Sequence, residues 1–205
     1  VATKTVKRAR NTSQRPAKSV VVEADTRTRL VNAAAAEFNE QGFAGTDTNR
    51  IARRAGFAPQ TFYRWFKDKT EIFVAVYQAW EAKERAVIDA LLARKATTKQ
   101  LIDAMVSHHR DYLVFRRSLR RLSLEDPVIR AARADSRKRQ LMQIRSWQQQ
   151  ANVDKDSSDG AIASALLQME RLADALAEGE LADMGISPSA AQGALAEIIE
   201  RFRAR

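Results

Sequence analysis

From Asp25 onward, apolar residues return every three or four positions and never alternate one by one. That period belongs to helices, not strands, so the chain reads as a string of amphipathic helices. The breaks agree with it. Gly42, Gly56 and Gly179 each follow an apolar run, where a left-handed residue ends a helix at little cost. Pro59, Pro127 and Pro188 stand where a first-turn proline is tolerated. The spacing predicts a first helix over 25–41 with Leu30, Val31, Ala34, Ala35 and Phe38 inward. A short second helix, capped by Thr46 or Asp47, buries Ile51, Ala52 and Ala55, and a third over 59–66 buries Phe62 and Phe66. Asp68-Lys69-Thr70-Glu71 resembles a capping box opening helix four, whose stripe includes Ile72, Val76, Trp80 and Leu91. Thr97 with Gln100 opens a helix with one regular stripe: Leu101, Met105, His108, Tyr112, Phe115, Leu119 and Leu122. Asp126-Pro127 begins a helix reaching about Gln150, a polar loop spans Asn152 to Gly160, and two further helices cover 160–178 and 188–203.

The fold class predicted is all-α. Residues 1–24, without helical periodicity, read as a flexible basic arm. Residues 25–70 form a small three-helix domain and residues 71–205 a second helical domain. With 45% apolar residues, the 205-residue chain has enough to bury a core. The absence of cysteine excludes a disulfide framework, zinc finger or thiol chemistry. No apolar run approaches the ~20 residues of a membrane span, and the first 22 residues lack the apolar core of a secretory signal. The expected location is the cytoplasm.

Charge is distributed unevenly. Of the net +10, the first 70 residues hold +8. Residues 110–145 hold +7 and residues 146–205 hold −5. A concentrated positive field at one end suits a polyanion, and nucleic acid is the commonest one.

The stretch TDTNRIARRAGFAPQTFYRWFKDK, Thr46 to Lys69, is a short helix, a glycine turn and a second short helix. That is the helix-turn-helix arrangement, whose second helix enters the major groove. Pro59, Gln60, Tyr63 and Arg64 share one side of that helix. Gln pairs with adenine and Arg with guanine through two hydrogen bonds each. Thr48, Asn49, Thr61, Tyr63, Trp65 and Lys69 suit phosphate oxygens. An ordinary helical hairpin has no need of two basic, aromatic-interleaved helices beside a basic arm.

Phe38, Gly42, Thr46, Ile51-Ala52, Ala55-Gly56, Thr61-Phe62-Tyr63, Phe66 and Lys69 together resemble the TetR family of bacterial regulators, over about 25–72. The resemblance implies an N-terminal helix-turn-helix DNA-binding domain and a C-terminal domain for ligand binding and dimerisation. It implies a homodimer that binds a palindromic operator on double-stranded DNA, most often a repressor released by a small-molecule effector. Carried over by position, the DNA contacts are Thr48, Asn49, Pro59, Gln60, Thr61, Tyr63, Arg64 and Trp65, with Lys69 on phosphate. Ala58 departs from the pattern, standing where members often have a capping Ser. The basic arm is longer than the domain needs, and is expected to reach the minor groove or follow phosphates.

The last two helices carry apolar seams that the resemblance assigns to the dimer interface: Ile162, Leu166, Met169 and Leu176 on one, Leu195, Ile198 and Phe202 on the other. Intramolecular core is the other reading of both. Met105, His108, Tyr112 and Phe115 are candidate ligand contacts on helix five. The family's pocket lies between helices four and eight, which adds Met142, Trp147 and Met169. No cofactor or metal is expected. His108 and His109, neighbours on a helix, point about 100° apart and cannot chelate together. The motifs of nucleotide-binding, hydrolase and zinc-protease chemistry are missing, so no enzyme is expected. The competing readings are a non-specific nucleoid-type DNA-binding protein and an enzyme using the C-terminal pocket.

Overall fold

A computed structural model describes the backbone of residues 18–151 and 157–203, and side chains over 25–149 and 157–201. Most of the expected arm, residues 1–17, lies outside the described residues, as does the side chain of Phe202. The described residues are helix and loop throughout, an all-α fold. The helices are α1 (Lys18–Gln41), α2 (Thr48–Arg54), α3 (Pro59–Tyr63), α4 (Lys69–Ala93), α5 (Thr98–Asp111), α6 (Leu113–Glu125), α7 (Pro127–Ala151), α8 (Asp159–Glu178), α9 (Glu180–Asp183) and α10 (Pro188–Arg203).

Local chemistry explains most of the boundaries. Asp47 is the cap of α2, its side chain accepting from Arg50 N–H, while Thr46 turns inward to Glu37. Asp68 caps α4 by accepting from Glu71 N–H, and the Glu71 carboxylate reaches one residue further back, to Lys67 N–H. Thr97 and Gln100 form a complete capping box. Asp126 accepts from Val128 and Ile129 N–H ahead of Pro127, and Ser187 accepts from Ala190 N–H. Ala58 gives α3 no side-chain cap.

Four boundaries differ from those expected. Helix α1 begins at Lys18, not Asp25. Helix α3 ends at Tyr63, although Trp65 and Phe66 N–H still bond back to Phe62. The long fifth helix is two helices, broken at Tyr112 (φ −122°, ψ 31°). A short α9 occupies the connection after Gly179.

One core spans α1 to α4 and continues into α6 and α7. It holds Leu30, Ala34, Phe38, Ile51, Phe62, Phe66, Ile72 and Val76, together with Phe115, Leu119 and Ile129. Phe73 is its hub, with ring centroids 5.0 Å from Phe38, 5.2 Å from Phe43 and 4.9 Å from Phe115. Such offset and edge contacts add about 0.5–1.5 kcal/mol each beyond burial. A second core joins Ile102 and Val106 of α5 to Ala173 of α8 and Leu195 of α10.

That second core corrects the seam assignment. Ile162 and Leu195 are fully buried within one chain, and Ile198 is nearly so. Met169 and Leu176 pack on the same core. The apolar stripes of α8 and α10 face α5 of their own chain, because three helices with one apolar face each bury them best against one another. No helix among the described residues is long and apolar enough to cross a membrane.

Candidate nucleic-acid interface and small-molecule pocket

The turn between α2 and α3 is held from α1. Gly56 takes φ +78°, and a Cβ there would stand 2.9 Å from Arg29 Nη2. Arg29 Nη2 donates to Ala55 O at 2.8 Å, and its guanidinium lies over the Phe57 ring at 4.4 Å. The backbone angle calls for glycine, and a side chain there would also press on the end of the arginine. Helix α2 is tied to α1 by Glu37, whose carboxylate accepts from Thr46, Arg50 and Arg54. Burial opposes the charge on Glu37, but these donors outweigh it and hold the carboxyl below its ordinary range.

With α2 and the turn fixed, α3 presents a defined face. Gln60, Tyr63 and Arg64 are exposed, as is Asn49 on α2, while Thr48, Pro59, Thr61 and Trp65 are half-buried. Tyr63 OH lies 2.9 Å from Thr48 Oγ1, so two expected phosphate contacts are bonded to each other across the two helices. Trp65 also packs on the core. Phe62 and Phe66 face inward, so the apolar side of α3 is fully used.

Lys69 differs from the expectation. Its ammonium donates to Phe43 O at 2.7 Å and Thr46 O at 2.9 Å, and sits 4.3 Å from the Phe43 ring centroid. Burial holds its pKa below the usual lysine value. Two of its three N–H groups therefore close the α1–α2 loop.

The second feature is a cavity of about 360 Å³ lined by α4, α5, α6, α7, α8 and α10. Of the expected ligand contacts, Met105, Trp147 and Met169 are on its wall. The other four are elsewhere. Phe115 is fully buried in the first core against Phe73. His108 is buried against Trp80, its Nε2 3.2 Å from Trp80 O. Tyr112 borders a separate groove beside α1, with Asn39 and Lys83. Met142 is 60% exposed on the outer side of α7. The break at Tyr112 explains Phe115: it rotates the stripe of α6 relative to that of α5, and sends Phe115 to the other core.

Sequence reading missed the polar part of the wall. His109 is 3% exposed and bridges two carboxylates, with Nδ1 2.8 Å from Asp174 Oδ1 and Nε2 3.3 Å from Glu84 Oε1. Burial pushes the imidazole pKa down, but the two carboxylates outweigh it and raise it above the ordinary value. Arg116, 4% exposed, bonds Asp174 and Glu170. Arg133 and Arg137 converge on Glu170 as well, and Arg120 on Asp174 and Glu178. Burial works to raise Asp174, yet His109 and Arg116 hold it at about 2. The basic middle of the chain and its acidic end are thus one interlocked network. No spacing rule could find it, since the partners stand 25 to 65 positions apart.

Comparison with known proteins places this architecture. Residues 30–76, from mid-α1 into α4, match the family model described as bacterial regulatory proteins, tetR family. The chain is 34% identical over 68 residues to YdgC, an uncharacterised helix-turn-helix-type transcriptional regulator of Bacillus subtilis (strain 168), covering 33% of this chain and 35% of that protein. It is 26% identical over 81 residues to the fatty acid metabolism regulator protein of the same organism, covering 40% and 42%. These matches span well under half the length of either curated relative. A crystal structure assigned to a TetR-family transcriptional regulator from Rhodococcus sp. superposes with a TM-score of 0.66 at 18% identity, covering 86% of this chain and 97% of that one. That likeness shows the fold over nearly the whole of both chains. The helix-turn-helix region, residues 30–76, thus matches the tetR family of bacterial regulatory proteins in sequence, and the helical architecture around it has the fold of a structure assigned to that family.

Proposed function

We propose that the protein is a homodimeric, sequence-specific transcriptional regulator. In this reading it binds double-stranded DNA at a palindromic operator and acts as a repressor, leaving when a small molecule enters the α4–α8 cavity. The observation that carries the reading is α3 itself. It is locked from α1 by Arg29 and from within by Phe62, and its exposed side is Gln60, Tyr63 and Arg64. Those side chains read base edges, and Thr48, Asn49, Pro59, Thr61 and Trp65 line the backbone approaches. The dimer would form through the outer faces of α8 and α10, where Ala161, Ser164 and Leu167, and Ala190, Gly193 and Ala194, are exposed. The cavity supplies a largely apolar site beside an ionic wall, the usual make-up of an effector pocket.

Selection of bound duplexes from random-sequence DNA tests this directly. The expected product is one palindrome of two half-sites, spaced as a two-fold dimer requires. Recovery of unselected sequence would return the nucleoid-type reading in its place.

A further inference from the structure

We propose that the cavity takes an organic monoanion with an apolar tail, its carboxylate held at the mouth between Arg85 of α4 and Gln140 of α7 and its tail inside. The inference rests on the reading of this cavity as an effector site and names the class of effector.

Two contacts tie α4 to α7 beside the cavity. Glu81 Oε2 accepts from Arg139 at 2.8 Å, and Asp89 Oδ1 accepts from Gln143 Nε2 at 3.3 Å. Arg85 stands midway between Glu81 and Asp89 on α4, and Gln140 between Arg139 and Gln143 on α7. Residues four apart share one face of a helix, so Arg85 lies on the side of α4 that meets α7. The two ties thus bracket Arg85 and Gln140 on facing helices, and both residues line the cavity. Neither makes a hydrogen bond among the described residues.

Glu81 faces two arginines and neutralises one. Arg139 takes the hydrogen bond, while Arg85 comes only to 4.0 Å, beyond hydrogen-bond range. Arg85 therefore keeps its donors free, and its side chain is 40% exposed, open to a ligand. A carboxylate there gains a charge-assisted bond from the guanidinium and a second bond from the Gln140 amide, and opens no existing contact. The deeper cations are engaged: Arg116 lies on Asp174 and Glu170, Arg137 on Glu170, and His109 between Asp174 and Glu84. A carboxylate that went further in would displace one of these acids and strand it in a buried site. The head therefore stays at the mouth, where water still reaches it, and the tail meets Ile88, Leu101, Met105, Ile144, Leu166 and Ile199. Leu92, 38% exposed, carries the apolar surface out to the rim. Asp89, one turn beyond Arg85, opposes a second negative charge on the head, hence a monoanion. It is also the acid that a cationic head would seek, which makes a cation the competing occupant.

The test is calorimetric titration of the full chain at neutral pH with octanoate, octanol and octylamine, which share a tail and differ in the head. Octanoate is expected to bind roughly fivefold to tenfold more tightly than either of the others. Arg85→Gln, which removes the charge from a part-exposed position, is expected to bring octanoate down to the affinity of octanol. Octanol or octylamine binding as tightly as octanoate would overturn the inference and leave the effector-site reading standing. Unchanged octanoate affinity in Arg85→Gln would overturn it too. If none of the three binds, the effector-site reading fails and the inference with it. The comparison of heads uses the unaltered protein, so it stands whatever the variant does.

Discussion

Lys69 carries two duties that a sequence cannot separate. A lysine at the start of α4 suits a phosphate, but this one also ties down the loop carbonyls of Phe43 and Thr46. Lys69→Ala should therefore lower stability by about 1–2 kcal/mol, since two part-buried acceptors lose a charged donor. Urea denaturation measures this; an unmoved midpoint would mean that the loop contacts carry no weight. Arg64 is the contrasting case. It is exposed and makes no ion pair among the described residues. Arg64→Ala should leave the denaturation midpoint in place and lose about 1–3 kcal/mol of discrimination at one base pair. Binding assays on operator variants read that loss, and an unaltered preference would mean that another face of α3 meets the bases.

Among the elements, the break between α5 and α6 separates what is legible in sequence from what is not. Caps such as Thr97, Asp126 and Ser187 act within three residues, so local pattern locates them. The break at Tyr112 is bridged from α1, 72 positions before Asp111. Asn39 on α1 donates through Nδ2 to Asp111 O at 2.7 Å and accepts at 3.4 Å from Phe115 N–H. It thus satisfies both the end of α5 and the start of α6, as a local cap would. A continuous apolar stripe from Leu101 to Leu122 contains no trace of it. The seams of α8 and α10 were legible as apolar faces but not by destination, because period reports that a face is buried and not what buries it. The face of α3 was easier, since Gly56, Pro59 and the inward Phe62 and Phe66 fix it within a dozen residues. Asn39→Ala should cost about 0.5–1.5 kcal/mol, mostly through the part-buried Phe115 N–H that loses its acceptor. Hydrogen exchange should then speed up selectively at Phe115 N–H, and protection equal to that of the parent would show the break to be set by something else.

At the scale of the molecule, charge is sorted into two uses. Residues 110–145 and 146–205 largely cancel inside the ionic network, leaving the excess on the first 70 residues. Deleting residues 1–17, which hold five bases and no acid, should weaken DNA binding and flatten its salt dependence, by about 0.9 in the log–log slope for each phosphate that the arm neutralises. An unchanged slope in filter-binding titrations would leave the arm without a role at the phosphates. The network itself sets the pH dependence. Asp174 titrates at about 2 in the fold against 3.8 when free, and Glu170 is lowered as well, burial opposing and the arginines prevailing. Their contribution is present above the free carboxylate values and is lost as pH falls through the folded ones. His109 runs the other way. Raised in the fold from 6.5, it stabilises fully below that value and stops doing so as pH rises through its folded pKa. The cluster is therefore most stabilising between about pH 4.5 and 6.5. Asp174 is the partner shared by both limbs, so Asp174→Asn should lower stability by about 3–5 kcal/mol in that window and flatten both limbs. His109→Gln should flatten only the alkaline limb. Denaturation midpoints across a pH series decide it: if the parent and Asp174→Asn give parallel profiles, the pH dependence arises outside this network.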